Sequence, residues 1–98
     1  MNILQEADKL TSGVRNKEYG HPKQFYADVA KIWSILLNLN IPEDRIADLM
    51  IAYKLVRTKQ GYKRDNYVDI SGYSRTREMQ YDKIKKLSKR KQYETTNT

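Results

Sequence analysis

Apolar residues recur at three- and four-residue steps through most of the chain, the spacing that lines one side of an α-helix. Ile3, Leu4, Ala7 and Leu10 begin the pattern and Gly13 follows where a helix would stop, so a short first helix is predicted to end near Ser12. Residues 14–22 break the period. Gly20 and Pro22 stand close together among polar neighbours, which reads as an ordered loop, and Pro22 suits the first position of a second helix because its missing N–H is not needed there. Phe25, Val29, Ile32, Trp33, Leu36 and Leu37 then trace one amphipathic face that ends around Asn38 to Asn40.

Pro42, Glu43 and Asp44 place a proline and two acids at the start of a third helix, predicted over residues 42–58. Its Ile46, Ala47, Leu49, Met50, Ile51, Tyr53, Leu55 and Val56 cover most of the circumference, the signature of the central helix of a bundle. Gly61 and the polar residues 62–66 make a connection. Val68, Gly72, Thr76, Met79, Lys83 and Leu87 then keep a helical step, giving a fourth helix over residues 66–87 that frays into a polar tail over 93–98. The expectation is an all-α, compact antiparallel bundle of about four helices: one domain over residues 1–88, followed by a flexible basic and polar tail over 89–98.

At 98 residues with 39% hydrophobic content, the chain has a modest supply of core-forming side chains, and oligomerisation would add to it. Eight tyrosines suit half-buried positions facing a partner subunit or a ligand. The absence of cysteine removes disulfides, thiolate metal sites and thiol nucleophiles. That fits a reducing cytoplasm, and neither a signal peptide nor a membrane span is visible. A net charge of +7 favours phosphate-bearing partners. Much of the excess is concentrated in Lys83, Lys85, Lys86, Lys89, Arg90 and Lys91, a segment suited to nucleic acid or another polyanion.

Familiar catalytic signatures are missing: there is no phosphate loop, dinucleotide fingerprint, nucleophile elbow, histidine pair or paired acidic helix motif for magnesium. No metal or cofactor is expected, and no catalytic residue is assigned. What remains is a polar constellation on three segments: Arg15, Tyr19, Gly20 and His21; Lys54 and Arg57; and Lys63, Asp65, Asn66, Asp69 and Tyr73. Lys54 and Arg57 are three apart on one helix face and together can clamp a phosphate. Asp69 and Tyr73, four apart, put an acceptor for a hydroxyl or amine beside a ring that can stack on a base. Each has a structural alternative. Lys54 and Arg57 can pair with Asp65 and Asp69 to lock two helices, His21 can serve as a helix-start residue, Trp33 belongs to the core stripe, and Gly72 marks a close helix contact.

The pattern Gly13-Val14-Arg15, Glu18-Tyr19-Gly20-His21-Pro22, Phe25, Ala30, Trp33, Met50, Lys54, Arg57, Lys63-Arg64-Asp65-Asn66, Val68-Asp69-Ile70 and Gly72-Tyr73 resembles an uncharacterised family of small phage-encoded domains. The likeness runs from Ile3 to about Glu78. It implies a bacteriophage or prophage accessory protein at work in a bacterial cytoplasm. The K-x-x-R step followed by an Asp and a Tyr is also faintly similar to a module of a small phage nucleotide kinase family.

Three functional classes follow. The first is a nucleotide-binding protein, a homo-oligomer that sequesters a cyclic or ADP-ribose-type signalling nucleotide of host anti-phage defence. Arg15, Lys54, Arg57 and Lys63 would hold phosphates; Tyr19, Tyr73 and Trp33 would stack; Asp65, Asn66 and Asp69 would read sugar or base edges. The second is a nucleotide kinase or phosphohydrolase using the same cations. The third is a scaffold whose basic fourth helix binds nucleic acid or an acidic host protein. The first is the favoured expectation.

Overall fold

The computed structural model describes residues 1–13 and 20–96. Four α-helices are present among them: α1 (Ile3–Thr11), α2 (Pro22–Leu37), α3 (Ile46–Arg57) and α4 (Arg64–Thr96). Short 3-10 turns at Glu43–Arg45 and Thr58–Gln60 flank α3, and there is no strand among the described residues. This is the all-α architecture that the periodicity predicts.

Local chemistry sets the boundaries. Asn2 caps α1 by accepting the Gln5 N–H at 2.8 Å while the Gln5 side chain accepts the Asn2 N–H at 2.9 Å, a reciprocal capping box. Pro22 is the first residue of α2 as expected, and His21 is its N-cap. Asn38 closes α2 in the left-handed conformation, φ 53°, and the Leu39 N–H donates to the Ser34 carbonyl at 3.1 Å, as in a Schellman ending. The Ser34 hydroxyl accepts the Ile41 N–H at 2.9 Å and so pins the turn into α3. The stretch expected to be one helix from residue 42 to 58 is thus a 3-10 turn, a twelve-residue α-helix and a second 3-10 turn. The last helix begins at Arg64 and continues to Thr96, beyond residue 87, because no Gly or Pro interrupts it after Gly72.

Two expectations about packing are corrected. The element that touches each of the other three helices is α4, not α3. Leu49, Tyr53, Leu55 and Val56 of α3 are exposed, and only Ile46 and Ala47 are buried, with Met50 packed beside them. α4 takes the centre by presenting a row at four-residue steps, Val68, Gly72, Thr76 and Gln80, that is small or polar but satisfied. Thr76 is hydrogen-bonded to Tyr26 of α2, and the buried Gln80 Nε2 donates to the Glu43 carbonyl at 2.9 Å. Hydropathy alone does not mark such a face as interior.

The second correction concerns α2. Its buried side is Pro22, Tyr26 and Ala30, with Val29 and Trp33 packed against the core, whereas Phe25, Ile32, Leu36 and Leu37 are exposed. Tyr26 suits the interior because its hydroxyl finds Thr76, and Ala30 because it lets helices approach closely. No helix among the described residues is long and apolar enough to cross a membrane.

Candidate functional site

α1, α2 and α4 meet around a cleft of about 480 Å³. Leu10 and Thr11 line it from α1, Phe25 and Tyr26 from α2, and Gly72, Tyr73 and Thr76 from α4. Thr11 turns its hydroxyl back to the Ala7 carbonyl at 2.8 Å, which leaves its methyl toward α4. A β-carbon on Gly72 would lie 3.5 Å from that methyl, an ordinary contact, so the helices are close here without being in collision. The Thr76 hydroxyl donates to the Gly72 carbonyl at 3.1 Å, so the proton between Tyr26 and Thr76 comes from the phenol. Burial raises the Tyr26 pKa and keeps that proton in place.

At one end of the cleft Lys54 of α3 meets Asp69 of α4, Nζ to carboxylate 2.7 Å. Both residues also line a second, polar cavity of about 570 Å³ with Arg57, Lys63, Arg64, Asp65 and Asn66. Two adjoining spaces, one largely apolar and aromatic and the other rich in cations, therefore share a wall. The first turn of α4 opens on the polar one, adding the positive end of its dipole to the side-chain charges.

The groups in the polar cavity are unequally committed. Arg64 is engaged with the Glu6 carboxylate and donates to the Met1 carbonyl at 3.0 Å, which ties α1 to the start of α4. Arg57 and Lys63 have no carboxylate within ion-pair distance among the described residues. Asn66 is buried, 4% exposed, and its Nδ2 amine has no hydrogen-bond partner among the described residues. A buried amide donor left unpaired costs about 1–3 kcal/mol, and this one belongs to a residue that lines the cavity.

Of the residues singled out from sequence, Gly20, Lys54, Asp69 and Tyr73 line the cleft, and Lys54, Arg57, Lys63, Asp65, Asn66 and Asp69 line the polar cavity. The helix-locking alternative is realised for Lys54 with Asp69 and has no counterpart between Arg57 and Asp65. Gly20 has φ +77°, a conformation that other residues resist. Arg15 and Tyr19 lie outside the described residues. Trp33 packs on the core.

His21 lines neither space. Its Nδ1 accepts the Lys23 N–H at 3.1 Å, and its pKa is lowered by desolvation first and then by Lys83 and Lys86. Lys83, Lys85, Lys86, Lys89 and Arg90 are exposed along the end of α4, and Lys91 follows on the same helix.

Sequence reasoning left out Leu10, Thr11, Tyr26, Thr76 and Arg64. For Thr76 the signal was present, three residues after Tyr73 and seven after Asp69 on one face. Arg64, beside Lys63, was part of the family pattern without being given a role.

Comparison with known proteins places the chain's sequence in a lineage. The family model described as a domain of unknown function, DUF6378, matches residues 2–80. The Gene 55 protein of Mycobacterium phage D29 is 43% identical over 74 residues, 74% of this chain and 49% of that protein. The Gene 55 protein of Mycobacterium phage L5 is 32% identical over 76 residues, 76% of this chain and 49% of its own length. The chain thus spans about half the length of these relatives, and no solved structure matches it. The likeness to a nucleotide kinase module finds no support among these matches. With the match covering most of the sequence, including every described residue of the cleft and the polar cavity, the chain belongs to the DUF6378 family, and the proteins similar to the chain include those of two Mycobacterium phages.

Proposed function

We propose that the protein binds a nucleotide and holds it without turning it over. The observation that carries this reading is the shared wall at Lys54 and Asp69 between an aromatic cleft and a cation-rich cavity lined by Asn66, whose side-chain amide N–H has no partner among the described residues. A nucleotide has the matching division, a flat base at one end and phosphates at the other. Arg57 and Lys63 are uncommitted to carboxylates among the described residues and supply charge to the phosphates, with the α4 N-terminus behind them. Asn66 Nδ2 supplies a donor to a phosphate or carbonyl oxygen. Asp69 accepts from a ribose hydroxyl or a base amine, and Tyr73 offers its ring to the base. Similarity to phage proteins supports action inside an infected bacterium, where retaining a host defence signal is a use for binding without chemistry.

Isothermal titration against nucleoside monophosphates, diphosphates, cyclic dinucleotides and ADP-ribose tests the proposal. One class should bind at micromolar affinity or better, and the Arg57→Ala, Lys63→Ala double variant should bind at least ~100-fold more weakly. Absence of heat with every class, together with a nucleotide-free mass spectrum of the protein taken from infected cells, would overturn it. Phosphorus NMR of the bound ligand separates retention, with unchanged resonances, from a kinase or phosphohydrolase.

A second reading rests on the exposed cations Lys83, Lys85, Lys86, Lys89 and Arg90 at the end of α4, which suit a nucleic-acid backbone. Its mark is affinity for single- or double-stranded nucleic acid that falls steeply with salt and is lost on Lys85→Gln and Lys89→Gln, while nucleotide binding in the cleft persists.

A further inference from the structure

The end of α2 carries an exposed apolar stripe. Residues 32–42 hold no charged side chain, in a chain that is 32% charged. Ile32, Ile35 and Leu36 lie at i, i+3 and i+4, on a side of the helix away from the core residues Tyr26 and Ala30. Ile35 and Leu36 are each 74% exposed, and Ile32 more than half exposed. Leu39, also mostly exposed, is held just beyond them by the bond from its N–H to the Ser34 carbonyl. A helix apolar on both sides is ordinarily covered on both, and α2 is covered on one.

The whole chain shows a matching surplus of surface. It exposes 7587 Å², whereas a monomeric globular protein of 11.6 kDa exposes about 5,800 Å². The projecting end of α4 accounts for part of the difference of roughly 1,700 Å². The difference is large enough to include the ~800 Å² that each partner contributes to a standard interface. The core is correspondingly small: the buried hydrophobics among the described residues are Ala7, Tyr26, Ala30, Ile46, Ala47 and Val68, half of them alanines.

We propose that Ile32, Ile35, Leu36 and Leu39 form the interface of a homodimer, with α2 packed against α2 of a second copy across a twofold axis. An isologous contact brings the same patch to itself, so a patch without charge spares two chains of +7 each like-charge repulsion at the contact, and residues 32–42 supply one. The cations of α4 stay outside the contact. A second copy is always available to cover a permanently apolar helix face on a small core. The pairing is independent of the nucleotide reading.

Sedimentation equilibrium and native mass spectrometry of the full chain at micromolar to submillimolar concentration test it. The expected species has twice the 11.6 kDa mass of the chain. Ile35→Glu with Leu36→Glu should raise the dissociation constant roughly 100-fold or more with helical circular dichroism retained, while Leu4→Glu, at an exposed leucine of α1, should leave the dimer intact. The chain has no cysteine, so Leu39→Cys introduces a single thiol, and a short bismaleimide should join two copies through it even if the glutamate variants fail to fold. A monomer throughout the concentration range overturns the proposal and leaves the stripe to a different polypeptide. A dimer indifferent to the glutamates in folded protein, or a Leu39→Cys protein that does not cross-link, overturns it equally.

Discussion

The Lys54 ammonium and the Asp69 carboxylate are 2.7 Å apart and differently placed: the lysine side chain is 14% exposed and the aspartate 38%. The two halves of this ion pair are therefore unequal in what their loss would cost. Without Asp69 a largely buried ammonium is stranded, whereas without Lys54 the carboxylate can rehydrate from its open side. Asp69→Ala should lower stability by about 2 kcal/mol and Lys54→Met by about 1 kcal/mol or less, an order that urea denaturation of the two variants will check.

Asn66 should behave unlike most buried residues. Truncating a packed side chain usually destabilises, but Asn66→Ala removes a donor unpaired among the described residues and improves helix propensity near the start of α4. Stability of the free protein should be unchanged or rise by up to about 1 kcal/mol. Nucleotide affinity, read by calorimetry, should fall about tenfold, the loss of one hydrogen bond to a charged acceptor.

Gly72 sits in a helix with room for a methyl group, since the nearest atom to an added β-carbon is the Thr11 methyl at 3.5 Å. Gly72→Ala should raise stability by about 0.5–1 kcal/mol through reduced chain entropy. The methyl also enters the cleft wall. Thermal melting should therefore move up while a ligand seated against Gly72 binds less well.

His21 gives the protein a pH dependence with a definite sign. Its folded-state pKa is depressed from 6.5 by desolvation first and then by Lys83 and Lys86. The unfolded chain therefore takes up the proton first as pH falls. The stability associated with neutral His21 is present above pH 6.5 and is lost as pH drops through the lowered folded value. Protonation at Nδ1 also removes the acceptor for the Lys23 N–H at the start of α2. Melting temperatures should fall modestly below pH 6.5, and His21→Asn, which keeps a capping oxygen, should flatten the profile.

α1 and α2 were legible because their apolar periodicity is bounded by local signals: Gly13 just past the end of α1, Pro22 at the first position of α2, and Asn38 at its left-handed ending. The wall residues Lys54 and Asp69 were legible too, since i, i+3 and i, i+4 spacings put Lys54 with Arg57 and Asp69 with Tyr73 before any packing is known. Which sides face inward was not. Ile32 and Leu36 are more hydrophobic than Tyr26 and Ala30, yet the latter pair is buried, because a hydroxyl partner and a small volume decide a helix contact more than transfer energy does. Likewise the helical step marks Val68, Gly72 and Thr76 but passes over Gln80, so the row is only partly legible. Its burial depends on Tyr26 and the Glu43 carbonyl, fifty and thirty-seven residues away.

Since α1, α2 and α3 each rest on α4, the segment from Val68 to Gln80 is a keystone, and loss of its register releases all three neighbours together. Hydrogen exchange there should proceed only through whole-molecule opening. Past Gln80 the same helix runs on with residues 81–90 exposed to solvent, and its amides should exchange by local fraying. One continuous helix thus contains two independent clocks, with the boundary at the residue where the family match also ends.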